Sequence, residues 1–411
     1  VVIGLLDSLH YRAQLADSPA DAPQYSVEVL SVFDALTSEL RSRQEKTYSA
    51  PLAMQLYAKE FVERDGATVR DYPRLQYGGA HLQRADERLP DITRRTLVGA
   101  AQGGLASLLL FGLLAGWQAR RTQVSVGTWL AAWRQGSLNW PGRTVVLMVA
   151  LLLMLGGALA QLASGYHVFG TDKVGQDVLY ISLKSIRTGL VIGTLTTLVT
   201  LPLAIGFGIA AGYFRGWVDD IIQYLYTVLN SIPGVLLIAA AVLIVQVYIE
   251  SNPDIFDTAA ARADIRLLAL CLIMGVTSWT GLARLLRGES LKLRTLDYVE
   301  AARAFGVSNA RIISRHIFPN LFHLVLIAIV LDFSGLVLAE AVLSYIGVGV
   351  DPAMYSWGNM INGARLELAR EPVVWWQLGA AFAFMFTLVL AANLFADGVR
   401  DAFDPRLGGR R

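Results

Sequence analysis

The sequence predicts an all-α protein that crosses a membrane several times. Apolar residues make up 54% of the 411 residues, and the mean hydropathy is +0.47. Several apolar runs reach the roughly 20 residues that an α-helix needs to cross a bilayer. The net charge is only +2, so no global field favours binding to nucleic acid. These observations favour a polytopic helical membrane protein.

The segment before the first long apolar run is polar and mixed in charge, and we expect it to be a small helical region. Apolar residues recur near helical spacing in 27–43, and 52–62 is a second candidate helix that follows Pro51. The initial letters VVIGLL resemble the end of an apolar segment, so we expect a further membrane helix before Val1.

Seven apolar runs long enough to be membrane helices follow this segment. They occupy residues 97–118, 144–163, 188–213, 221–249, 265–286, 321–346 and 373–395. The linker between the first two contains three arginines and no acidic residue, so the positive-inside rule places it in the cytoplasm.

This topology gives a division of the chain into five parts. We expect an extracytoplasmic region at 1–96, an additional span at 97–118, a cytoplasmic loop at 119–142, the main membrane domain at 143–406 and a cytoplasmic tail at 407–411.

A polar, charged stretch interrupts the apolar runs at 297–320, where the sequence is DYVEAARAFGVSNARIISRHIFPN. Its first part consists mostly of good helix formers, and Gly306 breaks the run. Ser308 or Asn309 can cap a second helix, and Pro319 ends that helix and starts the next span. The flanking sequence has an excess of arginine, which favours the cytoplasmic side. We therefore predict a short helix, a glycine turn and a second helix outside the lipid.

The spacing in this stretch resembles the EAA loop of ABC-importer permeases. The residues that carry the resemblance are Glu300, Ala301, Ala302, Gly306, Ile317 and Pro319, with Phe318 where the family usually has Leu. The resemblance implies a coupling helix that docks onto a cytoplasmic ATPase subunit. An ordinary amphipathic interfacial helix is the alternative.

Two further stretches resemble signatures of the dipeptide and oligopeptide permeases, in the second permease subunit of the pair. The matching residues include Gly170, Thr171, Asp172, Gly175 and Asp177 in the first stretch and Trp357, Gly358 and Asn359 in the second. The resemblance covers about 142–406 and implies a type I ABC importer permease fold. On physical grounds, the first stretch is a glycine-kinked loop whose aspartates cap a helix on the outer surface.

Polar residues inside the spans are candidates for a solute pathway. Asp332 and Glu340 lie in the sixth run, and Asn230 and Ser231 lie beside Pro233 in the fourth. An ionised acid at mid-bilayer costs about 2.5–3.5 kcal/mol on insertion scales, so such residues face the bundle interior or water. The alternative is a buried acid that is hydrogen-bonded between helices.

The chain shows no chemistry of its own for ATP hydrolysis. A phosphate-binding loop needs Gly-Lys-Ser/Thr, and none of the five lysines follows a glycine. His316 and His323 flank Pro319 without a metal-ligand set. No catalytic residue, cofactor or metal is therefore expected in this chain.

The resemblance implies a multi-pass permease subunit in the inner (cytoplasmic) membrane of a bacterium. Its implied partners are a second permease subunit, two ATPase subunits that bind ATP and Mg, and an extracytoplasmic binding protein that delivers di- or oligopeptides. Three alternatives stay open: a nickel or other small-solute permease of the same family, an ion-coupled secondary transporter in which Asp332 and Glu340 carry protons, and an interaction protein whose working part is the N-terminal region.

Overall fold

The computed structural model describes residues 2–14, 25–64, 67–136, 142–253 and 258–403. The chain forms two compact units. The first unit combines Val1–Ala35 with Ile181–Arg411, and the second unit is Leu36–Tyr180. The N-terminal residues thus pack as part of the same unit as most of the membrane helices.

The N-terminal part of the first unit is a β-hairpin between short helices. Its elements are α1 (Val2–Ser8), β1 (His10–Gln14), β2 (Tyr25–Ser31) and α2 (Val32–Leu36). The strands are antiparallel, with Tyr11 opposite Leu30. The predicted helix over 27–43 is therefore wrong in its first part. Ser31 and Asp34 exchange side-chain-to-amide hydrogen bonds of 3.0 Å each, a capping box that starts α2 only after the strand.

The N-terminal part of the second unit also differs from the prediction, which was helical. It contains α3 (Ser38–Ser42) and a hairpin of β3 (Glu60–Arg64) and β4 (Ala67–Asp71), and the helix predicted at 52–62 is wrong. The register pairs Arg64 with Ala67, so two residues separate the strands. Those residues are Asp65-Gly66, a dipeptide that favours a two-residue hairpin loop, and this local signal outweighs the apolar spacing.

The rest of the second unit is built on a pair of closely packed membrane helices. A single 3₁₀ turn (Ala85–Glu87) leads into α4 (Arg88–Arg121), which is followed by α5 (Val126–Gln135) and α6 (Arg143–Ala163). A side chain on Gly99 or Gly103 would overlap the backbone carbonyl of Gly157 or Leu153. Small residues therefore allow α4 and α6 to approach backbone to backbone, as in many helix pairs in lipid.

The remaining elements are almost entirely helical. They are α7 (Val178–Phe214), α8 (Trp217–Ser231), α9 (Gly234–Ser251), α10 (Ala259–Ser278), α11 (Thr280–Leu293), α12 (Asp297–Ala304), α13 (Asn309–Ile312), a π-helical turn (Ile313–Ile317), α14 (Phe318–Ile346), α15 (Trp357–Glu367) and α16 (Trp376–Phe403).

The described residues contain seven helical stretches that are long and apolar enough to cross a membrane, which confirms the predicted number. They are Ala85–Arg121, Arg143–Ala163, Val178–Phe214, Gly234–Ser251, Ala261–Leu293, Asn309–Ile346 and Trp376–Asp401.

The fourth span is shorter than predicted. The prediction was one helix over 221–249, but α8 ends at Ser231 and Ile232 has an extended backbone, with φ −97° and ψ 132°. Pro233 explains the break, because a proline disfavours helical geometry in the residue before it. Asn230 and Ser231 consequently lie at the end of α8, and the membrane-length helix begins at Gly234.

One apolar core of the first unit joins the membrane helices to the polar stretch at 297–320. Its buried members include Tyr213, Ile222, Trp279, Leu286, Val299, Ile312, Ile317 and Leu321. The polar stretch is thus held to the helices by its own apolar side chains.

Candidate functional site

The stretch at 297–320 forms the predicted helix, glycine turn and start of a second helix. The prediction that Pro319 ends this second helix is wrong, because α13 continues through the π-helical turn into α14 as one helical stretch, Asn309–Ile346. A proline in the first turn of α14 needs no amide partner there and leaves the helix intact. Gly306 has φ +76°, a conformation that side chains other than glycine's rarely adopt. The amides of Gly306 and Val307 donate to the carbonyls of Arg303 and Ala302 over 3.0 and 3.1 Å. This is the Schellman pattern that ends a helix at a left-handed residue. Among the described residues, no atom lies within 4 Å of a Cβ placed on Gly306, so the backbone angle, and not a lack of space, favours glycine here.

The two sides of this helix-turn-helix differ sharply in burial. Val299, Ile312 and Ile317 are 0% exposed and belong to the apolar core. Glu300 and Ala301 are exposed, and Phe305 beside the turn is 88% exposed. A large apolar side chain in that position is a typical contact residue for a partner protein. The stretch is therefore anchored on one side and presents an acidic and aromatic surface on the other.

Polar contacts fix the stretch to neighbouring helices. Tyr213, near the end of α7, donates its hydroxyl to Asn309 Oδ1 over 2.9 Å. The guanidinium of Arg294 donates to the carbonyl of Tyr213 over 3.0 Å, and that of Arg303 lies 5.3 Å from the centre of the Tyr213 ring. Asn309 and Arg303 thus connect α13 and α12 to the end of α7.

A second connection joins α8 to α11 just before the stretch. Arg287 donates from Nε and one terminal nitrogen to the two carboxylate oxygens of Asp219, over 2.6 and 2.8 Å. This bidentate hydrogen bond lowers the pKa of Asp219 against the opposing effect of burial. The carboxylate remains charged at neutral pH and holds the two helices together.

A cavity of about 250 Å³ lies among the membrane helices of the first unit. It is lined by Thr197, Thr200, Leu201, Ser278, Leu331, Asp332, Gly335, Leu336 and Ala339. The hydroxyl of Thr197 donates to the carbonyl of Gly193 over 2.6 Å, and that of Thr200 donates to the carbonyl of Thr196 over 2.9 Å. Their oxygens keep lone pairs free to accept further hydrogen bonds.

The other candidate pathway residues do not line this cavity. Glu340 is 2% exposed and accepts a 2.7 Å hydrogen bond from the hydroxyl of Ser344. Asn230 and Ser231 are exposed, and Asn230 Oδ1 accepts a 3.2 Å hydrogen bond from the hydroxyl of Thr280. Of the four candidate pathway residues, Asp332 is therefore the one that lines this cavity.

The residues of the second signature have clear packing roles. Trp357 is 2% exposed and donates its indole N–H to the carbonyl of Ser182 over 3.1 Å. A side chain on Gly358 would meet Ser344 and Glu340. The Asn359 amide donates to the carbonyls of Asp351 and Met354, at 2.8 and 2.9 Å. The motif therefore fixes α15 against α14 and α7.

The first signature forms the expected glycine-kinked loop with aspartate caps. Gly170 and Gly175 have φ +70° and +78°. Asp172 accepts from the amides of Val174 and Gln176, and Asp177 accepts from the amide of Leu179 over 2.8 Å. The capped helix is α7, which runs 37 residues from Val178.

Residues 43–79 cover this loop, a contact that the sequence did not indicate. The amide of Thr171 donates to the carbonyl of Ser49 over 3.1 Å, and the amide of Leu52 donates to the carbonyl of His167 over 2.9 Å. The hydroxyl of Thr171 donates to the carbonyl of Thr47 and accepts from the amide of Ser49. Residues far apart in the chain are thereby paired through their backbones.

A buried charged group lies at the centre of this contact. Nδ1 of His167 is 2.7 Å from Asp177 Oδ2, and its Nε2 is 3.4 Å from Glu45 Oε1. All three side chains are at most 5% exposed. Glu45 also accepts from the amides of Gln76, Tyr77 and Gly78, over 2.9, 2.8 and 3.1 Å.

The pKa shifts in this group favour the charged forms. Burial by itself lowers the pKa of His167, but hydrogen bonds to Asp177 and Glu45 raise it to about 9. Burial likewise raises the pKa of Glu45, but the hydrogen bonds from His167 and three amides lower it to about 2. At neutral pH His167 is therefore an imidazolium and Glu45 a carboxylate. Nothing in the sequence around Glu45 indicates this role, because the role depends on a loop more than 120 residues away.

The sequence was compared with those of known protein families and proteins. The family described as "Binding-protein-dependent transport system inner membrane component" matches residues 204–409, half of the chain. The glutathione transport system permease protein GsiD of Pectobacterium atrosepticum is 33% identical over 59% of this chain and 74% of its own length. The oligopeptide transport system permease protein OppC of Haemophilus influenzae is 31% identical over 59% of this chain and 71% of its own length.

Among solved structures, the MetNI methionine ABC transporter in an inward-facing conformation matches 55% of this chain and 97% of its own. The TM-score is 0.42 and the sequence identity is 15%, so we base no argument on this similarity.

Proposed function

Because this chain belongs to the family of binding-protein-dependent transport system inner membrane components, and is a multi-pass permease subunit of an ABC importer, we propose that it carries di- or oligopeptides. The relatives named for glutathione and oligopeptide transport support a peptide substrate. A nickel or other small-solute permease of the same family is the nearest alternative.

The observation that carries the mechanism is the two-sided helix-turn-helix at 297–320. Glu300, Ala301 and Phe305 form its exposed surface, while Val299 and Ile312 anchor it in the apolar core. We propose that the exposed surface docks onto a cytoplasmic ATPase subunit. Gly306 sets the angle between the two short helices, and Pro319 sets the start of α14.

ATP and Mg would bind to two partner ATPase subunits, which would supply the hydrolysis. Closure of these subunits would push on α12 and α13, and the contacts of Arg294 and Asn309 with Tyr213 would carry the movement to α7. A second permease subunit would complete the pathway, and a binding protein would deliver the peptide from outside. ATP drives such a cycle only if it favours one conformation over the other.

The cavity beside Asp332 is the part of the chain that best fits a solute pathway. Its wall is formed by membrane helices and combines a carboxylate with hydroxyl groups. Asn230 and Ser231 are exposed at the helix break before Pro233, where they would line the same pathway at a different depth in the membrane. Glu340 is buried and hydrogen-bonded, which favours a packing role for its carboxyl group.

The proposal is tested by reconstitution of the complete complex. The chain is co-expressed with its neighbouring permease, ATPase and binding-protein genes, purified and placed in liposomes. We expect uptake of trialanine that requires both ATP and the binding protein. Uptake driven by a proton or sodium gradient without ATP would instead support a secondary transporter. ATP-dependent uptake of nickel but not of any peptide in a di- and tripeptide library would support the small-solute alternative.

A further inference from the structure

Asp332 is a carboxylate at the middle of a membrane helix. It is the fifteenth residue of α14 (Phe318–Ile346), and at 1.5 Å per residue it lies about 21 Å from the start of that helix. Its side chain is exposed at the cavity. Among the described residues, Asp332 has no hydrogen-bonding or ion-pair partner. Acidic residues at such a depth mark solute or ion pathways, because a charge in lipid requires a partner.

The walls of the cavity favour a ligand with a single positive group. None of the nine lining residues is basic, so Asp332 contributes their only formal charge. Thr197 and Thr200 add hydroxyl oxygens that can accept hydrogen bonds. Gly335, one helical turn from Asp332, has open space at its Cβ position and leaves room next to the carboxylate.

The rest of the wall is apolar and the cavity is small. Leu201, Leu331, Leu336 and Ala339 supply hydrocarbon surface. The volume of about 250 Å³ is below the 300–1,000 Å³ that is typical of sites for drug-sized ligands. The space therefore fits one end of a peptide with its first side chain, and not a whole oligopeptide.

We propose that Asp332 is a recognition residue for the α-ammonium group of the transported peptide, a role that rests on the proposed peptide-importer function. A primary ammonium group has three N–H donors. Asp332 accepts from this group, and the hydroxyl-bearing residues of the same wall, Thr197 and Thr200, provide further acceptor atoms. The apolar wall receives the side chain of the first peptide residue.

The test uses the complete complex in nanodiscs, without binding protein or nucleotide, so that recognition by the binding protein does not contribute. Saturation-transfer NMR titrations measure the weak binding of trialanine and of propionyl-dialanine, in which hydrogen replaces the ammonium group. A charge-assisted hydrogen bond that is lost should weaken binding on the order of tenfold or more. We expect Asp332→Asn to reduce the affinity for trialanine by this amount and to leave that for propionyl-dialanine unchanged.

Two variants serve as comparisons. Asp332→Glu keeps the charge and should keep the preference for trialanine. Asp220→Asn removes an exposed carboxylate at the start of α8, outside the cavity, and should bind both ligands like the wild type.

Four results would overturn the proposal. The first is equal affinity of Asp332→Asn and wild type for trialanine, and the second is no detectable binding of trialanine to the wild type. The third is an equal loss of affinity for both ligands, which would make Asp332 a structural residue. The fourth is failure of Asp332→Asn, but not of Asp332→Glu, to assemble, which would assign Asp332 to an ion pair with another subunit. ATP-dependent peptide uptake by the wild type would leave the importer function intact in each case.

Discussion

The carbonyl oxygen of Glu45 occupies the space into which a side chain on Gly175 would project. The amide of Glu45 also donates to the carbonyl of Gly175 over 3.0 Å, so the two backbones are in direct contact. Gly175 belongs to the signature loop, and Glu45 belongs to the N-terminal region. The absence of a side chain at residue 175 is therefore what allows the N-terminal region to cover the loop.

Replacement of this glycine should release the N-terminal region. In Gly175→Ala, the new methyl group overlaps the Glu45 carbonyl and the residue is held at φ +78°, which costs roughly 1–2 kcal/mol for a residue other than glycine. We expect a lower unfolding temperature and faster tryptic cleavage within 36–80. Gly112→Ala is the matched control, because its Cβ position in α4 is open, and it should behave like the wild type. Equal cleavage rates in both variants would show that the contact does not protect this region.

The buried histidine should make the same contact sensitive to pH. The pKa of His167 is raised from 6.5 to about 9, so its stabilising contribution is fully present below pH 6.5 and is lost as the pH rises through 9. We expect protection of residues 36–80 from proteolysis to fall over this interval. His167→Gln should be less protected at pH 6 and should show no such fall, whereas His10→Gln should keep the wild-type profile. A wild-type profile that is flat from pH 6 to 9.5 would contradict the assigned charge state.

The proposed coupling surface is tested with substitutions that separate backbone geometry from bulk. Gly306→Val should abolish most ATP-dependent uptake, since a β-branched residue rarely adopts φ +76°. Gly306→Asn should retain it, because asparagine tolerates left-handed geometry. Glu300→Ala should reduce uptake with normal membrane insertion, because Glu300 is exposed and its removal leaves the core intact. The readouts are uptake per inserted permease and co-purification of the ATPase. Wild-type uptake by both Gly306→Val and Glu300→Ala would eliminate this stretch as the coupling surface.

The predicted orientation is tested with single cysteines in a Cys271→Ser chain, since Cys271 is the only cysteine. Glu63 and Gln135 are both exposed, in β3 and α5 respectively. The arginine bias of 119–142 puts Gln135 in the cytoplasm and Glu63 outside. An impermeant maleimide should therefore label Glu63→Cys in intact cells and Gln135→Cys only after permeabilisation. The reverse pattern would invert the whole topology.

Local sequence properties were sufficient to predict much of the structure of the membrane part. Hydropathy predicted seven spans, and the helix formers and Gly306 predicted the first helix and the turn of the stretch at 297–320. The helix end predicted at Pro319 is not formed. The aspartate caps at residues 172 and 177 also depend on neighbours within a few residues. The break at Pro233 and the Asp65-Gly66 hairpin had local signals as well, but the apolar patterns around them suggested continuous helices.

The sequence by itself determined which segments are long and apolar enough to span a membrane and that the chain turns at Gly306, because hydropathy and glycine's access to positive φ act within one or two helical turns. Only the tertiary structure decided that Glu45 pairs with His167, that Glu340 is buried beside Ser344 and that Asp332 faces a cavity. Asp332 and Glu340 are both acids of one apolar helix, and although Ser344 lies one turn from Glu340, the sequence does not determine which of the two acids is buried. Their environments differ because different helices pack against each one, and such packing joins residues that are far apart in the chain.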